Sequence, residues 1–200
     1  VQFWDYILNV AQGNFGNSLV SGRSVNSMVA AALPVTLKIG LAAILIVSLV
    51  GIVLGVIAAL NQNKWLDNLI VGFALVIWGI PVFVAGPLII VFMVLVLNLN
   101  VPYGWAGLFD VKVIVPLLVL GRNPMALIIR QARAGVLEVL SEDYVRTARA
   151  KGIPNYQVVM RHIMRPVLTP VVSQTGLLVI ATLNNSILIE KVFGLPGLGR

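Results

Sequence analysis

The sequence predicts an all-α fold: a polytopic membrane protein built from helices. Of its 200 residues, 59% are hydrophobic and only 10% are charged, whereas about a quarter of the residues of a soluble domain are charged. Four apolar segments are long enough to cross a bilayer, and half of the basic residues fall in one stretch between two of them. A chain with so little polar surface needs lipid around it.

The four predicted spans follow from segment length, since a bilayer core requires about 20 apolar residues. The second segment is long and contains Pro81 and Pro87, so we expect it to tilt, to kink or to form two shorter helices. The third is interrupted by the sequence GRNP at 121–124. The predicted spans are 33–60, 69–97, 113–129 and 167–189.

The basic residues predict the orientation. Seven of the 14 Lys and Arg residues lie between Arg130 and Arg165, and basic loops mark the cytoplasmic side of a membrane protein. With this stretch in the cytoplasm, counting back through the spans places the loop 61–68 inside and the loop 98–112 outside.

The same count divides the chain into an extracytoplasmic segment, 1–33, and a transmembrane domain, 33–200. The first segment is polar and rich in glycine, apart from an amphipathic stretch, Phe3 to Val10, suited to a membrane interface. Because its first residues are predicted to lie outside and no signal peptide is visible, we expect a further span before Val1.

Composition argues against several functional classes. The chain has no cysteine and a single histidine, His162, so we expect no metal site and no cysteine nucleophile. GLPGLGR lacks the Lys-Ser/Thr ending of a phosphate-binding loop, so we expect no ATP hydrolysis by this chain. The neighbouring carboxylates Glu142 and Asp143 point to different sides of a helix and therefore make a poor catalytic pair. We predict no catalytic residue. The net charge of +7 does not indicate nucleic-acid binding, because the basic residues are not interleaved with aromatic residues as they are in nucleic-acid binders.

Glycines recur at helical spacing in the first two spans. Small residues on one helix face allow two backbones to approach closely. Packing within this chain is the simpler interpretation, and packing against a second membrane subunit is the alternative. The two series are Gly40, Gly51 and Gly55, and Gly72, Gly79 and Gly86.

The stretch 141–165 contains the signals of two short helices joined by a tight turn. Ser141 is a suitable N-cap, and Glu142 follows in the first turn, where the helix dipole favours negative charge. Gly152 is suited to the left-handed conformation that ends a helix. The second helix is predicted from Tyr156 to Arg165.

The first of these helices is small on one side, where Thr147 and Ala148 leave its backbone approachable. Two interpretations remain open from the residues alone. A compact, self-capped cytoplasmic helix is suited to docking on a soluble partner, and a basic loop is equally suited to lying on anionic lipid.

Four ordered motifs carry a family resemblance. The sequence RQARAGVLEVLSEDYVRTARAKGIPNYQVVMRHIMRPVLTPVV at 130–172 resembles the cytoplasmic EAA loop of ABC importer permeases, in the dipeptide, oligopeptide and nickel branch. GNFGNSLVSGRSV, LPVTLKIGLAAILI and EKVFGLPGLGR resemble the branch motifs GDLGxS, LPxTLxLxxxA and ExVFxxPGLG, in the expected order. The resemblance covers nearly the whole chain.

The resemblance implies an ABC transmembrane type-1 (importer permease) fold of about six spans, of which this chain would lack the first and the last. It implies two cytoplasmic ATPase subunits, a second, related permease subunit and an extracytoplasmic solute-binding protein. ATP and Mg would then bind only to the partners, with no cofactor on this chain. The implied location is the cytoplasmic membrane of a bacterium or archaeon.

The resemblance also implies which residues couple to the ATPase. Here Arg146-Thr147-Ala148 stands where the general pattern has Glu-Ala-Ala, and Pro166 stands where the branch usually has Asn, which leaves the end of the second short helix open. The implied coupling residues are Glu142, Tyr144, Arg146, Thr147, Ala148, Arg149, Lys151, Gly152 and His162.

Polar groups within the spans are candidates for the translocation path. A charge at membrane depth is costly, so Arg122, beside Asn123, is expected to face a cavity or a partner. It either attracts a peptide carboxylate or is paired for structural reasons. Asn184, Asn185 and Ser186 either line the path or form hydrogen bonds between helices, the second being favoured.

Glu190 and Gly197 are predicted on the outer side, at an outer gate or facing the binding protein. The plainer account for Glu190 is a solvated ion pair with Lys191. The rival function is a stand-alone carrier or channel, which usually has acidic residues deep in its spans. The sequence does not choose among dipeptides, oligopeptides, nickel chelates and glutathione as the solute.

Overall fold

The structure, a computed structural model, describes residues 2–200, with side chains from residue 3 onward. The described part is helical, which confirms the predicted all-α class. A π-helical segment, Val158–Ile163, follows the seventh helix. The helices are α1 (Gln2–Ala11), α2 (Val25–Leu60), α3 (Trp65–Gly79), α4 (Val82–Leu95), α5 (Val111–Leu140), α6 (Asp143–Ala150), α7 (Asn155–Gln157) and α8 (Met164–Phe193).

Three long helices, α2, α5 and α8, form the centre of the fold. By length and composition, α2, α5 and the continuous stretch Asn155–Phe193 are each able to cross a membrane. Side chains between them, such as Ile128 and Val171, are fully buried. Their outer faces expose large apolar side chains, such as Leu49 and Ile180, which are suited to lipid rather than water.

The second predicted span consists of two helices, α3 and α4, which are bent by 105° at the break between them. Ile80 has an extended backbone, with φ −85° and ψ 123°, because a following proline disfavours the α conformation. Pro81 then serves as the N-cap of α4. Of the three alternatives that the sequence left open, division into two helices is the one observed.

Helix α5 differs from the prediction in two ways. It runs without interruption through 121–124, with Pro124 inside it, since neighbouring groups in a helical membrane protein compensate for the lost backbone bond. It also continues past residue 129 to Leu140. The first part of the basic stretch is therefore helix, with Ala132 and Val136 buried on its inner face.

The first glycine series packs within this chain, as the simpler interpretation expected. A Cβ atom built on Gly55 would lie 2.7 Å from the Ala132 Cβ, and one on Gly51 would lie 3.0 Å from Ile128. Both glycines therefore allow α2 and α5 to approach closely, while Gly40 faces α8.

The second glycine series does not share one helix face, because the bend separates its members. Gly86 lies on α4, where an added Cβ would lie 3.2 Å from Val192. Among residues 2–200, nothing lies within 4 Å of a Cβ built on Gly72 or Gly79. The prediction of one shared face was wrong for this series.

Hydrogen bonds and an ion pair join the segments at each end of the bundle. At one end, the Gly104 N–H donates to the Phe193 carbonyl, and the Leu198 N–H donates to the Thr36 hydroxyl, both at 3.0 Å. At the other end, an ion pair joins the start of α3 to the last third of α5. Segments predicted on the same side of the membrane thus lie together, and the sidedness itself stays a prediction.

Candidate functional site: the α6 hollow and the buried polar groups

Helix α6 is a short element between α5 and α7. Its N-cap position is Glu142, so the expectation for Ser141 was wrong. Ser141 is the C-cap of α5, and its hydroxyl donates to the Glu138 carbonyl at 2.7 Å. Gly152 adopts the left-handed conformation, with φ +76°, and its N–H donates to the Arg149 carbonyl at 2.9 Å. The predicted turn after the first short helix is therefore present.

The inner face of α6 is held by two apolar side chains, Val145 and Ala148, which are 0% and 4% exposed. They belong to the same buried cluster as Val158 and Ile163 of the π segment. Ala148 therefore faces the protein, contrary to the sequence-based view that its side of the helix is open to a partner. A partner has to meet the outer face of α6 and its edges.

Four of the nine predicted coupling residues are exposed on α6: Tyr144, Arg146, Thr147 and Arg149. Arg146 forms an exposed ion pair with Asp143 at 3.5 Å and donates to the Ser141 carbonyl at 3.1 Å. Exposed pairs of this kind contribute little to stability. Arg149 is exposed as well, so the outer face presents two guanidinium groups to the solvent.

A hollow of about 270 Å³ opens beside α6, and we call it the α6 hollow. Five of the nine predicted coupling residues line it, and Ala148 is the buried one among them. The Nδ1 atom of His162 is covered and has no hydrogen-bond partner among residues 2–200. The lining residues are Tyr144, Thr147, Ala148, Lys151, Ile153 and His162.

The π segment, Val158–Ile163, was not predicted. The second short helix was expected to end near Arg165, but α7 passes through the π segment directly into α8. π-helical turns are rare and frequently occur at functional sites. Because the π segment packs on α6 and continues into α8, it connects the surface element to a membrane-spanning helix.

An ion pair between Asp67 and Arg133 was also missed. The Arg133 Nε and Nη2 donate to the two Asp67 oxygens at 2.6 and 2.7 Å, and the Asn63 N–H adds a third bond at 2.9 Å. The Asp67 side chain is only 3% exposed. Arg133 also lines a cavity of about 440 Å³ with Arg130 and Gln174. The available signal was the single acidic residue of the loop 61–68, which is predicted on the same side of the membrane as the basic stretch.

Arg122 lies on α5 and is 9% exposed, as expected for a charge at membrane depth. It lines a cavity of about 460 Å³ whose other walls are apolar and belong to α3, α4 and α5. Its Nη1 donates to the Ile77 carbonyl. Asn123 is half-buried, and its Oδ1 has no partner among the described residues.

Asn184, Asn185 and Ser186 differ in their exposure. Asn184 is exposed and Asn185 is half-buried. Ser186 is fully buried, and its hydroxyl donates to the Leu183 carbonyl of the same helix at 2.7 Å. No bond from these three side chains to a neighbouring helix occurs among residues 2–200, so the favoured interpretation receives no support.

Glu190 and Gly197 are brought together at one end of the bundle. Glu190 is 0% exposed, so the expected solvated ion pair with Lys191 was wrong. Its Oε2 accepts from the Gly199 N–H at 2.7 Å, and a Cβ on Gly197 would overlap its carboxylate. The turn after α8 folds back over Glu190 because Gly194 reverses the chain, with φ +64°.

Replacing Glu190 by alanine is expected to release this turn. The buried Gly199 N–H loses the oxygen that accepts its hydrogen bond, and a buried donor left without an acceptor costs about 1–3 kcal/mol. We expect faster amide hydrogen exchange at 194–199, measured by mass spectrometry. The matched control is Lys191→Ala, which removes an exposed neighbour and should leave exchange unchanged; equal exchange rates in the two variants would contradict the role of Glu190.

The comparison with protein families agrees with this architecture. Residues 51–200 match the family described as "Binding-protein-dependent transport system inner membrane component". The chain belongs to this family. Since several of its helices are able to span a bilayer, it is a multi-pass protein of the cytoplasmic membrane, and the expected type-1 permease fold is confirmed.

Named relatives cover the full chain. It is 38% identical over 200 residues to the oligopeptide transport system permease protein OppB of Salmonella typhimurium. It is 36% identical over 200 residues to the dipeptide transport system permease protein DppB of Bacillus subtilis. It is 39% identical over 206 residues to the glutathione transport system permease protein GsiC of Salmonella choleraesuis. In each case all of this chain is covered, but only 65%, 64% and 65% of the relative.

Proposed function

We propose that this chain is the permease subunit of an ATP-binding-cassette importer that moves peptides across the cytoplasmic membrane. Nickel chelates and related small solutes remain alternatives within the same branch. The observation that carries the proposal is the α6 hollow. It is a surface depression on a short helix between two membrane-spanning helices, and five of its six lining residues are ones that the family resemblance assigns to coupling.

The packing of α6 supports a coupling role. Val145 and Ala148 anchor it to the π segment through a fully apolar contact, and the π segment continues into α8. A packed core transmits displacement because it contains few voids to absorb it. A partner that moves α6 therefore moves the end of α8.

The proposed complex contains two cytoplasmic ATPase subunits, which would bind ATP and Mg and perform the hydrolysis. It also contains a second, related permease subunit and an extracytoplasmic solute-binding protein. In this scheme the chain has no cofactor and no enzymatic activity. The names of its relatives, which describe permease proteins of transport systems, support this separation of the permease from the ATPases.

Filling the α6 hollow tests the docking. Thr147 is exposed and lines the hollow, so Thr147→Trp should place an indole where the ATPase docks. We expect at least a tenfold loss of ATPase subunits that copurify with the tagged full-length permease, when all subunits are expressed together. The matched control is Gln62→Trp, at an exposed position in the loop between α2 and α3 and outside the hollow, which should retain the ATPases.

The outcomes separate the proposal from its rival. Loss of the ATPases only in Thr147→Trp supports docking at the hollow. Retention in both variants contradicts the assignment of the hollow, although not the importer function. If no ATPase copurifies with the wild type, the stand-alone carrier or channel becomes the better account.

A further inference from the structure

The buried guanidinium of Arg122 is only partly satisfied by this chain. Its Nη1 donates to the carbonyl of Ile77, which lies in the last turn of α3. Carbonyls in the last turn of a helix have no partner within that helix. One side of Arg122 thus caps α3 at the bend before α4.

The other side of Arg122 has no acceptor among the described residues. Its Nε and Nη2 are covered and make no hydrogen bond within residues 2–200. No carboxylate of the described residues forms an ion pair with it, since the pairs found involve Arg133 and Arg146. A buried donor without an acceptor is costly, so the arrangement favours an acceptor supplied from elsewhere.

The two unpaired atoms of Arg122, Nε and Nη2, indicate that the acceptor is a carboxylate. The Nε and Nη2 of a guanidinium form a parallel fork that matches the two oxygens of a carboxylate. The same chain contains an occupied example, because Arg133 uses these two atoms to hold both oxygens of Asp67 at 2.6 and 2.7 Å. Arg122 has the same fork without the carboxylate.

The neighbouring cavity is suited to receive such a group. It measures about 460 Å³, within the range of about 300–1,000 Å³ that is common for small-molecule sites. Phe73, Phe92 and Met125 contribute to its apolar lining. An apolar environment strengthens a charge-assisted hydrogen bond. The cavity also has room for the side chain next to a carboxylate.

We propose that Arg122 binds a carboxylate of the transported solute, which for a peptide is its C-terminal carboxylate. This inference rests on the proposed function. The carboxylate enters the cavity between α3, α4 and α5, and a rotation of the guanidinium turns Nε and Nη2 toward it. A carboxylate from another subunit, or from protein outside residues 2–200, has the same chemistry and is distinguished by experiment.

The experiment compares two peptides in the complete complex, reconstituted into liposomes with its ATPases and binding protein. One peptide has a free C-terminal carboxylate and the other has the same sequence with a C-terminal amide. The measured quantity is the ratio of their kcat/KM values for ATP-driven uptake. Because each variant uses the same binding protein, the preference of that protein cancels when the ratios are compared.

We expect Arg122→Gln to lower the ratio of acid to amide uptake by about tenfold relative to the wild type, since a charge-assisted bond is lost only for the acid. Arg122→Lys keeps the charge without the fork and should lower the ratio to a smaller extent. If Arg122→Gln fails to assemble, Arg122→Lys decides the question. The control is Lys112→Gln, an exposed site on the same helix, which should leave the ratio unchanged.

Equal losses for both peptides, with the ratio unchanged, would overturn the inference and leave Arg122 as a cap of α3 or a partner of a protein carboxylate. That result leaves the importer function intact, because the wild type still takes up peptide in an ATP-dependent manner. If the wild type takes up neither peptide with ATP, the proposed function fails and the inference fails with it.

Discussion

Replacing Asp67 by asparagine is expected to destabilise the folded protein by about 3 kcal/mol, because it leaves a guanidinium without its counter-charge. The side chains of Asp67 and Arg133 are 3% and 27% exposed. Because Arg133 is partly exposed, we expect a loss of stability at the lower end of the range for breaking a buried ion pair. The free energy of unfolding is to be measured in mixed micelles of a mild detergent and SDS.

The matched control is Asp110→Asn. Asp110 is the N-cap of α5, and its carboxylate accepts from the Lys112 N–H at 2.8 Å. Asparagine is as good an N-cap as aspartate, so we expect no measurable loss there. The double variant Asp67→Asn with Arg133→Gln should recover part of the stability, because no uncompensated charge remains. Equal losses for the two single Asp→Asn variants would contradict the importance of the ion pair.

A second large effect is expected from Gly55→Leu. A Cβ on Gly55 would lie 2.7 Å from the Ile129 carbonyl oxygen and 3.1 Å from the Arg133 backbone nitrogen, besides the Ala132 methyl group. Backbone atoms cannot move aside as a side chain can, so α2 and α5 have to separate. Overpacking costs about 1–3 kcal/mol and occasionally more, and we expect a loss of about 3 kcal/mol in the same unfolding measurement.

The control for this variant is the same substitution at Gly176 of α8. Among residues 2–200, nothing lies within 4 Å of a Cβ built at Gly176, and leucine is a better helix former than glycine. We therefore expect no loss of stability for Gly176→Leu. A small loss at both sites would show that α2 and α5 do not need their close approach.

The elements that depend on local sequence were predictable. Long apolar segments predict helices because lipid requires every backbone group to be satisfied within the segment, and each predicted span lies in a helix or, for the second, in a helix pair. The turn at Gly152 and the break at Pro81 were also predictable from local sequence. Glycine readily adopts the positive φ that the turn requires, and proline disfavours the helical conformation in the residue before it. The end of α5 was predicted wrongly, because its last third is basic and was therefore assigned to the loop after residue 129, although it is helical.

The functional contacts depend on residues that are distant in sequence. Asp67 and Arg133 are separated by 66 positions, and the sequence offered several basic residues as partners. Glu190 is polar and adjacent to a lysine, yet a glycine-rich turn buries it. The inward direction of Ala148 follows from the π segment, which no local pattern indicated.

By itself, the sequence determined that this protein is a helical membrane protein, which segments are long and apolar enough to cross a bilayer, and which family it resembles, because hydrophobicity, proline, glycine and capping act over a few neighbouring residues. Only the tertiary structure decided which carboxylate pairs with Arg133 and which glycines contact the backbone of another helix. It also decided that two donors of Arg122 are unpaired among the described residues and lie beside a cavity. Those outcomes depend on how α3, α5 and α8 are placed against one another, and many pairings are compatible with the same pattern of apolar and polar residues.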